Sequence, residues 1–201
     1  ARRGLSNYPS TAKCLPTYIS QKNIDLVTKH GIYKEDEFRA RYEIHLDAYR
    51  KIINIEAKTC IDMAIHQILP AAMHYSRDLC NGYAKKLEIG IASKVEYELA
   101  CQLTNVSDAL YEHCKKLEED LAKIPVGKEN IVNYYHEVIV ADMNALRTQA
   151  DILESLTDKS YWPYPTICSS TKICTGCDAS HPVFFLFSCG AEAACRALGI
   201  G

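Results

Sequence analysis

The hydrophobic pattern of the chain is dominated by residues 35–69, a stretch that contains neither glycine nor proline. Apolar residues recur there at steps of three and four, the spacing of one face of an α-helix. This first stripe comprises Leu46, Tyr49, Ile53, Ala57, Cys60, Ala64 and Ile68. A second stripe on the neighbouring face comprises Ile44, Ala48, Ile52, Ile55, Ile65 and Leu69. Because a surface helix needs only one apolar face, the two stripes predict a long helix packed between other helices.

Three further segments carry helical periodicity. A short helix is predicted over residues 21–30, with Ser20 as its N-cap and Gly31 just past its end. Residues 93–96 form a capping-box motif, in which Ser93 and Glu96 would bond to each other's backbone, and it opens the next helix. The stripe of that helix comprises Val95, Leu99, Leu103, Val106, Leu110, Cys114, Leu117 and Leu121. The last helix, at about residues 128–156, carries Tyr135, Ile139, Met143, Leu146, Ala150 and Leu153.

The connections complete the predicted fold. Pro70 is expected to kink the long helix, which continues in helical style towards Gly90. Residues 1–19 show little periodicity and read as an extended lead-in, whereas residues 158–166 are expected to fold back and dock their aromatic side chains. Short loops make consecutive helices antiparallel neighbours. The prediction is an all-α protein: an elongated antiparallel helical bundle of three long helices plus a short N-terminal helix, with an irregular Cys-rich tail.

Composition and charge limit the partners and the cellular location that we expect for the chain. The 201-residue chain is 48% hydrophobic and 24% charged with a formal net charge of -2, which is typical of a folded protein. Basic and acidic residues are interleaved, so neither nucleic acid nor membrane is expected as a partner. The chain starts without methionine, shows no signal peptide and has no apolar run long enough to span a bilayer. We expect a piece of a longer protein in a soluble, cytoplasmic context.

The ten cysteines divide unevenly and mark a boundary. Five are spread over residues 1–166, where buried thiols on apolar helix faces are the ordinary interpretation for Cys60 and Cys114. The other five crowd into residues 167–201. The chain therefore divides into a lead-in (residues 1–19), a helical bundle (20–166) and a divergent tail (167–201). Cys174 and Cys177 form a Cys-x2-Cys knuckle of the kind that binds structural zinc, but a zinc site needs a second pair of ligands at regular spacing. We therefore expect a divergent or aberrant ending without a metal, and zinc held by Cys174 and Cys177 is the alternative.

Catalytic chemistry has no clear carrier in the sequence. The paired Glu-x-x-His turns of two-metal helical bundles do not occur. Asp62 and His66 are one helical turn apart, a spacing that most often indicates a surface pair rather than metal ligands. Phosphate-binding loops, dinucleotide-binding glycine motifs and nucleophile elbows are not found in the sequence. We therefore assign no catalytic or cofactor-binding residue to this chain.

Residues 2–166 nevertheless resemble the C-terminal region of type III glutamine synthetase, and the order of the matching segments is the same. The most specific segments are Arg41-Tyr42-Glu43-Ile44, Asn54-Ile55-Glu56-Ala57, Ile61-Asp62-Met63, Gln67-Ile68-Leu69-Pro70-Ala71 and Trp162-Pro163-Tyr164-Pro165-Thr166. None of these segments is a catalytic motif. The resemblance ends at Ile167, where the family continues with an acidic, leucine-rich ending.

The resemblance implies a parent enzyme that joins ammonia to glutamate with ATP and divalent metal (Mg or Mn). It also implies a ring-shaped homo-oligomer whose catalytic residues lie in an upstream sheet-based domain, so the bundle would contact that domain and other subunits. Two hypotheses follow. In the first, the chain is a C-terminal fragment of glutamine synthetase, inactive alone, whose bundle serves packing or oligomer assembly. In the second, it is a stand-alone helical interaction module with a metal-binding tail.

Overall fold

The computed structural model describes residue 8, residues 10–125 and residues 128–165. The helices are α1 (Thr11–Tyr18), α2 (Gln21–Lys29), α3 (Glu35–Met63), α4 (Leu69–Glu88), α5 (Lys94–Ala122), α6 (Lys128–Tyr134) and α7 (Val140–Leu156). Single π-helical turns, Ala64–Ile68 and Tyr135–Ile139, join α3 to α4 and α6 to α7. No strand occurs among the described residues, and the predicted all-α bundle with three long helical units is confirmed.

The first stripe of the long helix is buried as predicted. Every member from Leu46 to Ile68 is at most 5% exposed, and the stripe faces the core that α5, α6 and α7 complete. The second stripe behaves differently, because Ile44 and Ile55 are 65% and 62% exposed whereas Leu69 is buried. The expectation that α3 packs between helices on both apolar faces is therefore wrong at Ile44 and Ile55. Helix α3 is covered mainly on one face and leaves apolar surface on the other.

The N-terminal segment differs from the prediction. Residues 1–19 were expected to be extended, yet Thr11–Tyr18 form helix α1 despite Pro16 in its interior. Ser10 caps this helix by accepting a hydrogen bond from the backbone N–H of Lys13 at 3.4 Å. Only Thr11, Ala12 and Leu15 of the helix are buried. Two helical turns present too few apolar positions for a period to be recognised, and their contact with the bundle stabilises the helix instead.

Pro70 is accommodated inside a continuous helix. It lies in the first turn of α4, directly after the π-helical turn Ala64–Ile68. The backbone N–H of Leu69 donates to the carbonyl of Ala64, five residues earlier, so the hydrogen-bond pattern changes just before the proline. A proline near the start of a helix needs no N–H partner. Helical structure therefore continues through Pro70 to Glu88, and the kink expected at Pro70 stays a prediction.

Helix α5 occupies the centre of the bundle and contacts α4, α7 and α3. Its predicted stripe is confirmed at Leu103, Leu110, Cys114 and Leu117, which are all fully buried, but Val95 is 73% exposed. The predicted stripe of the last helical unit, from Tyr135 to Leu153, is buried at all six positions. Burial therefore begins at Leu103 in α5 and ends at Ala72 in α4. We call residues 73–102, which include no buried residue, the arm.

The predicted capping box at residues 93–96 is not formed. Ser93 takes the N-cap position with extended backbone, but its side chain makes no capping hydrogen bond. The carboxylate of Glu96 instead accepts a hydrogen bond from the Nζ of Lys86 at 2.5 Å, which links α5 to α4. A charged partner on the neighbouring helix thus replaces the backbone N–H as the partner of this side chain.

Candidate functional site

The Asp62–His66 pair lies on the surface beside the first π-helical turn. The Nε2 of His66 is 3.7 Å from the Oδ1 of Asp62, and the two side chains are 70% and 65% exposed. Glu118 and Lys58 border the same open pocket of about 410 Å³. Within residues 8, 10–125 and 128–165, no group of three or more His, Cys, Asp or Glu side chains is arranged to hold a metal ion. The pair is therefore the surface pair that its spacing indicated.

Two thiols lie in the core between α3 and α5. Cys60 and Cys114 are 4% and 0% exposed, which confirms the interpretation of both as buried residues. Burial raises the pKa of Cys60 to about 12 and that of Cys114 to about 11. Since the thiolate is the reactive and metal-binding form, both groups are chemically inert at neutral pH. Cys174 and Cys177 lie outside the described residues, so the expectation that they bind no zinc stays a prediction, which elemental analysis of the purified chain tests.

Two carboxylates that the apolar pattern does not single out lie at or near the core. Asp142 is 5% exposed and accepts a hydrogen bond from the Nζ of Lys116 at 2.5 Å, which joins α7 to α5 and raises the pKa of Lys116. Glu56 is half-buried, and desolvation raises the pKa of its carboxyl group. Asp142 follows Ile139 by three positions and precedes Leu146 by four, so a helical-wheel projection places it on the apolar face. Asp142 links two helices, whereas one buried oxygen of Glu56 has no hydrogen-bond partner among the described residues.

The aromatic segment near the end of the described chain docks on the long helix, as predicted. The hydroxyl of Tyr161 donates to the Oδ2 of Asp78 at 2.7 Å, and its ring lies 5.3 Å from that of Tyr75. The hydroxyl of Tyr164 donates to the side-chain oxygen of Gln67 in the first π-helical turn. Trp162 also packs against the core. The segment therefore fastens the chain after α7 to α4 instead of presenting a free aromatic platform.

Large apolar side chains reach solvent at several places, including Leu26, Ile32 and Met73, and two such surfaces involve the long helix and the arm. One is an open groove of about 840 Å³ at the first half of α3, lined by Ile44 and Ala48 together with Ile131 and Val132 of α6. The other is the end of the arm, where large apolar side chains reach solvent on both sides of the loop between α4 and α5. These side chains are Leu87, Ile89, Ile91, Val95 and Tyr97, and we call them the arm tip. Contiguous exposed apolar surface is typical of interaction sites.

None of the helices in the described part of the chain combines the length and the apolarity needed to cross a bilayer. The polar contacts found between elements join helices to one another: Lys86 to Glu96, Lys116 to Asp142, and the Tyr134 hydroxyl to the Asp120 carbonyl at 2.8 Å. These contacts tie the helices of the bundle to one another, and apolar side chains remain exposed on α3 and on the arm.

Comparison with known proteins identifies sequences that are similar to this chain. Residues 1–87 match the glutamine synthetase C-terminal domain. The chain is 34% identical over 170 residues to a glutamine synthetase from Butyrivibrio fibrisolvens, which covers 83% of this chain and 24% of that protein. It is 27% identical over 174 residues to a type-3 glutamine synthetase from Dictyostelium discoideum, covering 81% of this chain and 23% of the relative.

A glutamine synthetase from Bacteroides fragilis is 28% identical over 175 residues, which cover 82% of this chain and 24% of that relative. The chain thus spans about a quarter of the length of the curated relatives it matches. These alignments are longer than residues 1–87, so they extend beyond the arm tip into the rest of the bundle. Residues 1–87 are therefore similar to the glutamine synthetase C-terminal domain, and the predicted resemblance to the C-terminal region of this enzyme is confirmed.

Proposed function

We propose that this chain is the helical C-terminal region of a type III glutamine synthetase. The complete enzyme would join ammonia to glutamate with ATP and Mg or Mn, as a ring-shaped homo-oligomer in the cytoplasm. The bundle itself would supply no catalytic residue. Its role would be to pack against the upstream catalytic domain and to hold subunits in the assembly.

The observation that carries this proposal is the alignment over most of the chain with proteins named glutamine synthetase, one of them type-3. The described residues support the assigned role. Their ion pairs between elements link helix to helix, and exposed apolar surface remains on α3 and at the arm tip. Apolar surface of this kind suits contact with another protein surface.

A domain exchange in the Butyrivibrio fibrisolvens relative tests the role. Three proteins are compared: the intact enzyme, the same enzyme without the quarter that aligns with this chain, and a chimera in which residues 1–165 replace that quarter. Sedimentation velocity gives the assembly state, and γ-glutamyl transfer gives the activity. We expect the shortened enzyme to lose both assembly and activity, and the chimera to recover them.

A chimera with Leu110→Asp is the matched control, because a carboxylate at this fully buried position should disrupt the bundle and give the behaviour of the shortened enzyme. Full assembly and activity of the shortened enzyme would contradict the proposal. Activity of the isolated chain in the same assay would contradict the assignment of catalysis to the missing portion. The stand-alone module hypothesis instead predicts that the chimera has no advantage over the shortened enzyme.

A further inference from the structure

The arm tip is built from the last turn of α4, the connecting loop and the first turn of α5. Its five apolar side chains are between 53% and 73% exposed. Gly90 closes the connection with a φ of 81°, a left-handed conformation that glycine adopts without strain. The rings of Tyr83 and Tyr97 meet at 5.9 Å across the two helices. The tip is therefore a defined structure, with apolar side chains directed to solvent.

In the rest of the bundle a third helix covers the apolar faces of α4 and α5. Among the described residues, no helix buries these faces along the arm. Helix α4 contributes only Leu69 and Ala72 to the buried core, and α5 contributes nothing before Leu103. Helices α6 and α7, with the π-helical turn between them, pack instead against α3 and the later part of α5. Two antiparallel helices that expose their apolar face form half of a four-helix bundle.

The charges near the arm tip would allow the arms of two copies of this chain to pair with each other. Residues 85–98 carry three basic and three acidic side chains, so two copies do not repel each other through net charge. Lys86 pairs with Glu96 at 2.5 Å, and Lys94 pairs with Glu98 at 3.5 Å. Lys85 and Glu88 form no ion pair with another described residue. These opposite charges lie one turn apart on α4, so a twofold axis can bring each next to its counterpart in a second copy.

We propose that the arm tip is the docking surface for the arm of a second copy of this chain. The two arms would form a twofold four-helix contact, with apolar tips at the centre and reciprocal Lys85–Glu88 pairs at the rim. This inference rests on the proposed role in assembly and names the surface that performs it. If each apolar side chain offers on the order of 100 Å² when fully exposed, the apolar contact buries several hundred Å² in total, which is below the size of a standard specific interface. Association should therefore be weak, with a dissociation constant in the micromolar range or above it.

Sedimentation velocity of the full chain, in reducing buffer over about 1 to 200 µM, tests the proposal. We expect a monomer–dimer equilibrium that Ile89→Asp with Val95→Asp weakens at least tenfold. Both positions are 73% exposed, so these changes should leave the helical circular dichroism signal intact. Ile55→Asp is the control, because this side chain is 62% exposed on α3, away from the arm. It should leave the dissociation constant unchanged.

A charge exchange tests the reciprocal pairs. Lys85→Glu alone and Glu88→Lys alone should each weaken association about tenfold, because like charges then face each other across the axis. The double variant should recover the original dissociation constant within about threefold, and a mixture of the two single variants should form heterodimers. A chain that is monomeric up to 200 µM overturns the proposal, as does a double variant that is weaker than either single one.

The proposed assembly role is judged separately by the domain exchange. If the isolated chain is monomeric but Ile89→Asp with Val95→Asp prevents assembly of the chimera, the arm tip contacts another part of the enzyme. That outcome overturns docking between two arms and leaves the assembly role standing. If the chain dimerises through the arm while the shortened relative still assembles and works, the assembly role fails and the self-docking surface stands alone.

Discussion

Replacing Leu110 by alanine should destabilise the bundle strongly. Leu110 lies in the middle of α5, is 0% exposed and belongs to the core cluster shared by α3, α5 and α7. The change removes three carbon atoms, and the lost transfer free energy is roughly 2.5 kcal/mol at about 0.8 kcal/mol per buried methylene. A residual cavity adds to this cost, so the free energy of unfolding should fall by about 2 to 5 kcal/mol.

Urea unfolding followed by circular dichroism measures this change from the midpoint and the slope of the transition. Val95→Ala is the control, because Val95 belongs to the same predicted stripe but is 73% exposed on the arm. Its effect should stay within about 0.5 kcal/mol. A loss below about 1 kcal/mol for Leu110→Ala, or equal losses for the two variants, would refute the separation of α5 into an exposed arm and a buried half.

Three further predictions concern named contacts. Ser93→Ala should change the free energy of unfolding by less than about 0.5 kcal/mol, because the Ser93 side chain makes no capping hydrogen bond; urea melts check this. Lys116→Met should lower the free energy of unfolding by leaving buried Asp142 unpaired, and Lys116→Met with Asp142→Leu should recover much of the loss in a double-mutant cycle. Since folding raises the pKa of Cys60 from 9.0 to about 12, the folded chain keeps a proton that the unfolded chain releases. Stability should therefore fall as pH rises from about 9 towards 12, and Cys60→Ala should flatten this slope in melts across that range.

The core of the bundle follows from periodicity because burial on one helix face imposes it. The first stripe of α3, the buried half of α5 and all six predicted positions from Tyr135 to Leu153 are core residues. Periodicity does not reveal what covers a face. Ile44 and Val95 fit apolar stripes as well as their buried neighbours do, yet both are exposed, because the position of the neighbouring helices decides their burial.

Local signals were less reliable where a tertiary contact competes with them. Helix α1 is too short to show a period and is held by its contact with the bundle. The Ser93 capping box gives way to the ion pair between Glu96 and Lys86, a partner ten residues away on another helix. Neither π-helical turn was predicted, because apolar steps of three and four residues do not show which carbonyl each backbone N–H bonds to.

The nucleotide sequence upstream of the codon for Ala1 tests the central claim most directly. If the chain is the C-terminal region of a glutamine synthetase, that sequence should continue in the same reading frame into a sheet-based catalytic domain similar to the remaining three-quarters of the Butyrivibrio fibrisolvens relative. An in-frame stop codon followed by a start codon immediately before the coding sequence, or an upstream frame encoding an unrelated domain, would contradict the account.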